Sequence, residues 1–180
     1  MSQKTKQLTV CALSVALATA ASMIRLFRFP FGGSVTLCCM LFIFLPSWIY
    51  GYKAGIICGL IYGLLQFVTG PCFMNIPQFL FDYIFSFAFM GLGGLLRSRK
   101  NGLLEGYILA ATLRWIMASI AGLIWINLGS TVWDGWAPLP YTLCYNFCYI
   151  FAEAVITIAI MNIPAVKKAL LYAKHSVNPE

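Results

Sequence analysis

Six stretches of apolar residues, all but the short third close to the length that crosses a hydrocarbon core, follow one another with only short polar joins between them. They occupy residues 8–26, 35–52, 55–69, 79–96, 103–128 and 141–163. With 61% hydrophobic and 9% charged residues, a chain of 180 residues cannot bury such surface in a soluble core. The sequence predicts an all-α integral membrane protein with six transmembrane helices, one unit over residues 1–180.

The formal charge of +7 would suit nucleic acid, but the basic residues form no continuous patch. Lys4 and Lys6, Lys53, then Arg97, Arg99 and Lys100, then Lys167, Lys168 and Lys174 fall at the N-terminus, in alternate joins and at the C-terminus. By the positive-inside rule both termini are cytoplasmic. Arg25 and Arg28, at the outer end of the first span, are read as snorkelling to headgroups or standing at a site mouth. A cleaved signal is the other reading of the first span, since small residues Ala20, Ala21 and Ser22 follow it. Losing that span would break the even helix count the charges support. The seven cysteines lie in or beside apolar spans, with no metal-ligand spacing to the single histidine, His175, and read as packing residues.

Asp82 is the residue that asks for a function. A carboxylate at bilayer depth costs a few kcal/mol on insertion scales and is tolerated where it meets a polar cavity, a partner or a ligand. Gln78 and Ser86 lie one turn to either side of it on the same helical face. In the third span Tyr62, Gln66 and Thr69 make a similar stripe, and the sixth opens with Tyr141, Tyr145, Asn146 and Tyr149. All of these rise to the outer end, where Phe31 to Thr36, Gly70-Pro71 and Trp133 to Trp136 add loop residues. An interfacial aromatic belt accounts for Trp and Tyr there, but not for Asp82, Gln78 and Asn146 beneath it. An outward-facing pocket follows, suited to a flat, partly cationic ligand held by aromatic faces and an anionic acceptor.

Arg114 and Glu153 fall near mid-membrane and are expected to pair with each other or with backbone carbonyls. A proton or ion relay is the alternative, but Asp82 and Glu153 are the only acids in the spans and sit at different depths. Ala12, Ala16 and Ala20 share one face of the first helix, a stripe that admits close approach by another helix of the same chain or of a separate subunit. Gly91, Gly93 and Gly94 in the fourth span have the same character. No phosphate-binding loop is present, so any ATP-driven motor must be another chain.

The stretches Gly32-Gly33-Ser34-Val35-Thr36, Tyr52-Lys53-Ala54-Gly55, Gly59 to Gln66, Gln78 to Asp82-Tyr83, and Tyr141-Thr142-Leu143-Cys144-Tyr145-Asn146 together resemble the thiamine-specific substrate-binding subunits of energy-coupling factor transporters. The likeness runs over nearly the whole chain; its most specific parts are the GGSV loop, the acid-Tyr pair and the Y-x-L-x-Y-N run. The resemblance implies a single six-helix substrate-binding domain in the cell membrane. That subunit would capture a vitamin from outside and pass it inward with a transmembrane coupling subunit and two cytoplasmic ATPase subunits. It implies no cofactor of the chain's own, ATP being used by the partner subunits alone. It places Thr36, Asp82, Tyr83, Trp133, Tyr141 and Asn146 at the ligand, Trp133 being favoured over Trp125 as the stacking residue. Ala12, Ala16 and Ala20 would contact the coupling subunit.

Two departures stand out. Some relatives carry a second glutamate where this chain has Thr36 or Leu37, and they often carry a histidine where it has Ala118. Both remove polar contacts, leaving a thiamine precursor or another vitamin as alternative ligands. A stand-alone ion-coupled transporter is a second class, disfavoured by the lack of an internal repeat and of an acidic relay. An intramembrane enzyme would need a nucleophile with its base, or a metal cluster, at one depth, and no such set is visible.

Overall fold

The computed structural model describes residues 2–70, 75–127 and 135–177, Phe31 by its backbone alone. Six helices form the bundle: α1 Gln3–Met23, α2 Cys39–Tyr50, α3 Tyr52–Thr69, α4 Ile76–Leu96, α5 Gly102–Asn127 and α6 Pro138–Met161. All except α2 are long and apolar enough to cross a membrane. Six crossings return the chain to the side from which it started. A seventh helix, α7, Pro164–Val177, follows, has no buried residue, and leans on the bundle by placing the Lys174 ammonium 4.9 Å from the Trp48 ring centre. Its alternation of Lys and apolar residues carries no membrane-spanning signal, so sequence reading passed over it.

The connection between α1 and α2 departs from the all-helical expectation. Residues 25 and 26, expected to finish the first helix, belong to a strand, β1, Arg25–Arg28. It pairs antiparallel with β2, Ser34–Thr36, where the second helix was expected to begin. The turn Pro30–Gly32 joins them, with a fixed proline φ at its start and Gly32 at φ +99° at its end. Arg25 and Arg28 are exposed on this hairpin.

Only 12 residues remain for α2, about 18 Å of helix. The crossing is completed by extended backbone from β2, which is tolerated at membrane depth where it lines a cavity and not lipid. Helix α2 is the centre of the bundle, packed against α1, α3, the inner half of α4, α5 and α6. Phe44 on it meets Tyr107 of α5 edge to face at 5.8 Å, and both are fully buried. Gly51, at φ +97°, turns the chain directly into α3.

Helix α4 is wound unevenly. Its outer part contains a π-helical segment, Leu80–Phe85, and its inner part a 3-10 segment, Phe89–Leu96. Segments of both kinds mark functional positions in helices. The π segment carries Asp82 and Tyr83. The tight inner segment is rich in buried glycine, and its narrow cross-section lies against α2, α3 and α5.

Candidate functional site: a polar cavity at the outer end of the bundle

A cavity of about 430 Å³ opens among α3, α4, α5, α6 and the β1–β2 hairpin. That is within the usual range of small-molecule sites. Each element contributes residues because its polar stripe faces inward: Tyr62 and Gln66 from α3; Gln78, Asp82, Tyr83 and Ser86 from α4; Tyr141, Tyr145, Asn146 and Tyr149 from α6. The hairpin adds Gly33, Ser34 and Thr36. Of the stripe residues named from sequence, only Thr69 is not in the lining.

Five of the six expected ligand residues, Thr36, Asp82, Tyr83, Tyr141 and Asn146, therefore meet around one space. Trp133, the sixth, lies outside the described residues, while Trp125 of α5 lines the cavity.

Asp82 makes no hydrogen bond or ion pair among the described residues. The groups around it are differently committed. Tyr83 donates its hydroxyl to the Gly70 carbonyl at 3.2 Å. Asn146 donates to the Thr142 carbonyl at 2.9 Å and accepts from the Tyr149 hydroxyl at 2.8 Å. Gln66 donates to the Tyr62 hydroxyl. Tyr141 and Tyr145 stack, ring centres 5.9 Å apart and 18° from parallel. The result is a pre-formed wall of aromatic faces and fixed amides with a free carboxylate beside it.

Close backbone approach holds that carboxylate in place. A Cβ on Gly63 of α3 would stand 2.2 Å from the Tyr83 carbonyl oxygen, so glycine lets α3 press against the π segment. This gives the glycine-rich third span a direct part in shaping the site.

Arg114 and Glu153 do not form the expected pair. Glu153 is 2% exposed and accepts hydrogen bonds from the Thr36 amide at 3.2 Å, the Thr36 hydroxyl at 2.6 Å, the Met40 amide at 3.1 Å and the Cys39 thiol at 3.2 Å. Depth alone suggested a partner on the neighbouring helix. The hairpin instead brings backbone donors to the same depth, and the α2 N-terminus offers unpaired N–H groups for an anion to cap. Arg114 lines the cavity with its guanidinium 4.7 Å from the Phe87 ring centre, and its Nη1 has no hydrogen-bond partner among the described residues. Sequence reading missed Arg114 as a cavity residue because only the three-dimensional arrangement separates it from Glu153.

No group of three or more potential metal ligands occurs among the described residues. A bundle of membrane-length apolar helices with a polar, aromatic-lined cavity near one end defines a multi-pass membrane protein with a site for a small molecule. The family model of the thiamine transporter proteins matches residues 8–173. The chain belongs to that family, one of transporters and not of enzymes. The thiamine transporter ThiT of Bacillus subtilis (strain 168) is 32% identical over 173 residues, covering 85% of this chain and 88% of that protein. The solved structure of ThiT from Listeria monocytogenes shares the fold, with a TM-score of 0.72 over 99% of this chain and 100% of that one at 21% identity.

Proposed function

We propose that this protein is the thiamine-binding subunit of an ATP-driven energy-coupling factor importer in the cell membrane. Thiamine is captured from the outer side. The observation that carries this reading is the unpartnered Asp82 carboxylate in a cavity walled by Tyr141, Tyr145 and Trp125. Thiamine is a cation built from two flat rings, and it supplies both the charge and the stacking surface such a wall lacks. Membership of the thiamine transporter family supports the same ligand.

In this reading Thr36, Asp82, Tyr83, Tyr141 and Asn146 contact the ligand, and the resemblance adds Trp133, which lies outside the described residues. Ala12, Ala16 and Ala20 are exposed along α1 and form the docking face for the transmembrane coupling subunit. Two ATPase subunits drive the cycle from inside, and the chain needs no cofactor.

The test is titration of thiamine into the purified protein in detergent, followed by tryptophan fluorescence, with a pyrimidine precursor and riboflavin alongside. Tight, saturable quenching by thiamine alone is expected. Saturation by the precursor alone would change the substrate, and silence with all three would reject the reading.

A further inference from the structure

Glu153 touches the cavity only through other groups. It is absent from the lining, yet Thr36 and Cys39, which are in it, both end their hydrogen bonds on its carboxylate. Each carboxylate oxygen also receives a backbone N–H, Oε2 from Thr36 and Oε1 from Met40. Two side-chain and two backbone groups thus converge on the carboxylate, which as an anion accepts from all four.

The Thr36 hydroxyl lies 2.6 Å from Oε2, a length typical of O–H···O⁻ bonds. The same hydroxyl lies 3.0 Å from Cys39 Sγ, a weaker acceptor than the carboxylate, so its one hydrogen is committed within this cluster. What remains on Thr36 Oγ1 is lone-pair density, strengthened as an acceptor by the bond it donates. The Cys39 thiol is turned the same way. This wall of the cavity accepts and does not donate.

We propose that Glu153 is a positioning residue that makes Thr36 an obligate acceptor, so that this wall selects a ligand presenting a hydrogen-bond donor, such as an amino group on a heteroaromatic ring. The inference rests on the thiamine reading, since thiamine carries one such amino group, on its pyrimidine ring. Glu153 acts without touching the ligand. Selection comes from the penalty for leaving the acceptor unpaired when the donor is absent.

The experiment is a cycle between protein and ligand. Thiamine and its desamino analogue, with hydrogen in place of the pyrimidine amino group, are titrated into wild type, Glu153→Gln, Thr36→Val and the double variant. Wild type should prefer thiamine by about tenfold or more. Glu153→Gln should lose about that factor for thiamine and change about twofold or less for the analogue, because a carboxamide can donate to Thr36 Oγ1 and free its hydrogen. The double variant should be no worse than Thr36→Val.

Equal losses for both ligands in Glu153→Gln would make the residue purely structural and overturn the proposal. If Glu153→Gln fails to fold, Thr36→Ser and Thr36→Val decide. Serine should keep the preference and valine abolish it, and any other pattern overturns the proposal. Wild type binding the two ligands equally would sink this inference and leave the thiamine reading standing. Wild type binding neither would sink both.

Discussion

The backbone amide of Gly33 donates to the Tyr145 hydroxyl at 2.9 Å, and that hydroxyl donates in turn to the Pro30 carbonyl. One side chain of α6 thus grips both sides of the hairpin turn where it borders the cavity. A Cβ at position 33 would stand 2.7 Å from the same oxygen, so the grip needs glycine there.

Tyr145→Phe removes the grip while keeping the ring that stacks on Tyr141. The hairpin should loosen, and bound thiamine should leave several-fold faster, in line with about 1 kcal/mol for a lost hydrogen bond. Stopped-flow displacement of the ligand measures this. An unchanged release rate would mean that the hairpin takes no part in retention.

Gly63→Ala forces α3 and α4 apart at the π segment, because the new methyl meets the Tyr83 carbonyl at 2.2 Å. Overpacking of this kind costs about 1 to 3 kcal/mol. A lower thermal midpoint in detergent and weaker thiamine binding should appear together, since Asp82 and Tyr83 sit on the displaced segment. Loss of stability with unaltered affinity would separate that contact from the site.

Arg114→Met tests whether Arg114 and Glu153 depend on each other. Breaking a buried ion pair typically costs about 3 to 5 kcal/mol. Here Glu153 keeps all its donors, and Arg114 surrenders a contact with Phe87 of about 0.5 to 2 kcal/mol while methionine packs in its place. The unliganded protein should therefore unfold close to the wild-type temperature. A drop on the scale of a broken pair would restore the pairing that depth alone suggests.

Ala16→Trp should leave thiamine binding by the isolated protein intact and abolish uptake in cells that carry the coupling subunit and its ATPases. Ala16 is exposed on α1 and does not line the ligand cavity. Uptake at the wild-type rate would remove this face from the docking surface.

Much of the architecture is legible in the chain because hydropathy is a local property. Helices α3, α4, α5 and α6 begin and end within about three residues of the apolar runs that predict them, the scatter expected at helix ends. The hairpin is not legible. The first apolar run ends at Leu26, nothing local in Arg25–Arg28 marks a strand, and only the pairing with residues 34–36 extends it into one. The polar stripes, read from helical periodicity, do converge on one cavity. What periodicity could not supply was pairing across elements: Glu153 with Thr36 and Met40, and Tyr145 with Gly33. These contacts join residues more than a hundred positions apart, where only the folded chain decides who meets whom.

The most direct test of the central claim is the affinity of Asp82→Asn for thiamine beside that of wild type, both followed by tryptophan quenching and by thermal unfolding without ligand. Asp82 has no partner among the described residues to lose, so unfolding should be unchanged. Affinity should fall by about 1.5 to 3 kcal/mol, the range for hydrogen bonds to a charged group, or roughly one to two decades. Equal affinity in the two proteins would contradict the account, because the one free carboxylate among the described cavity residues would then have no part in holding the ligand.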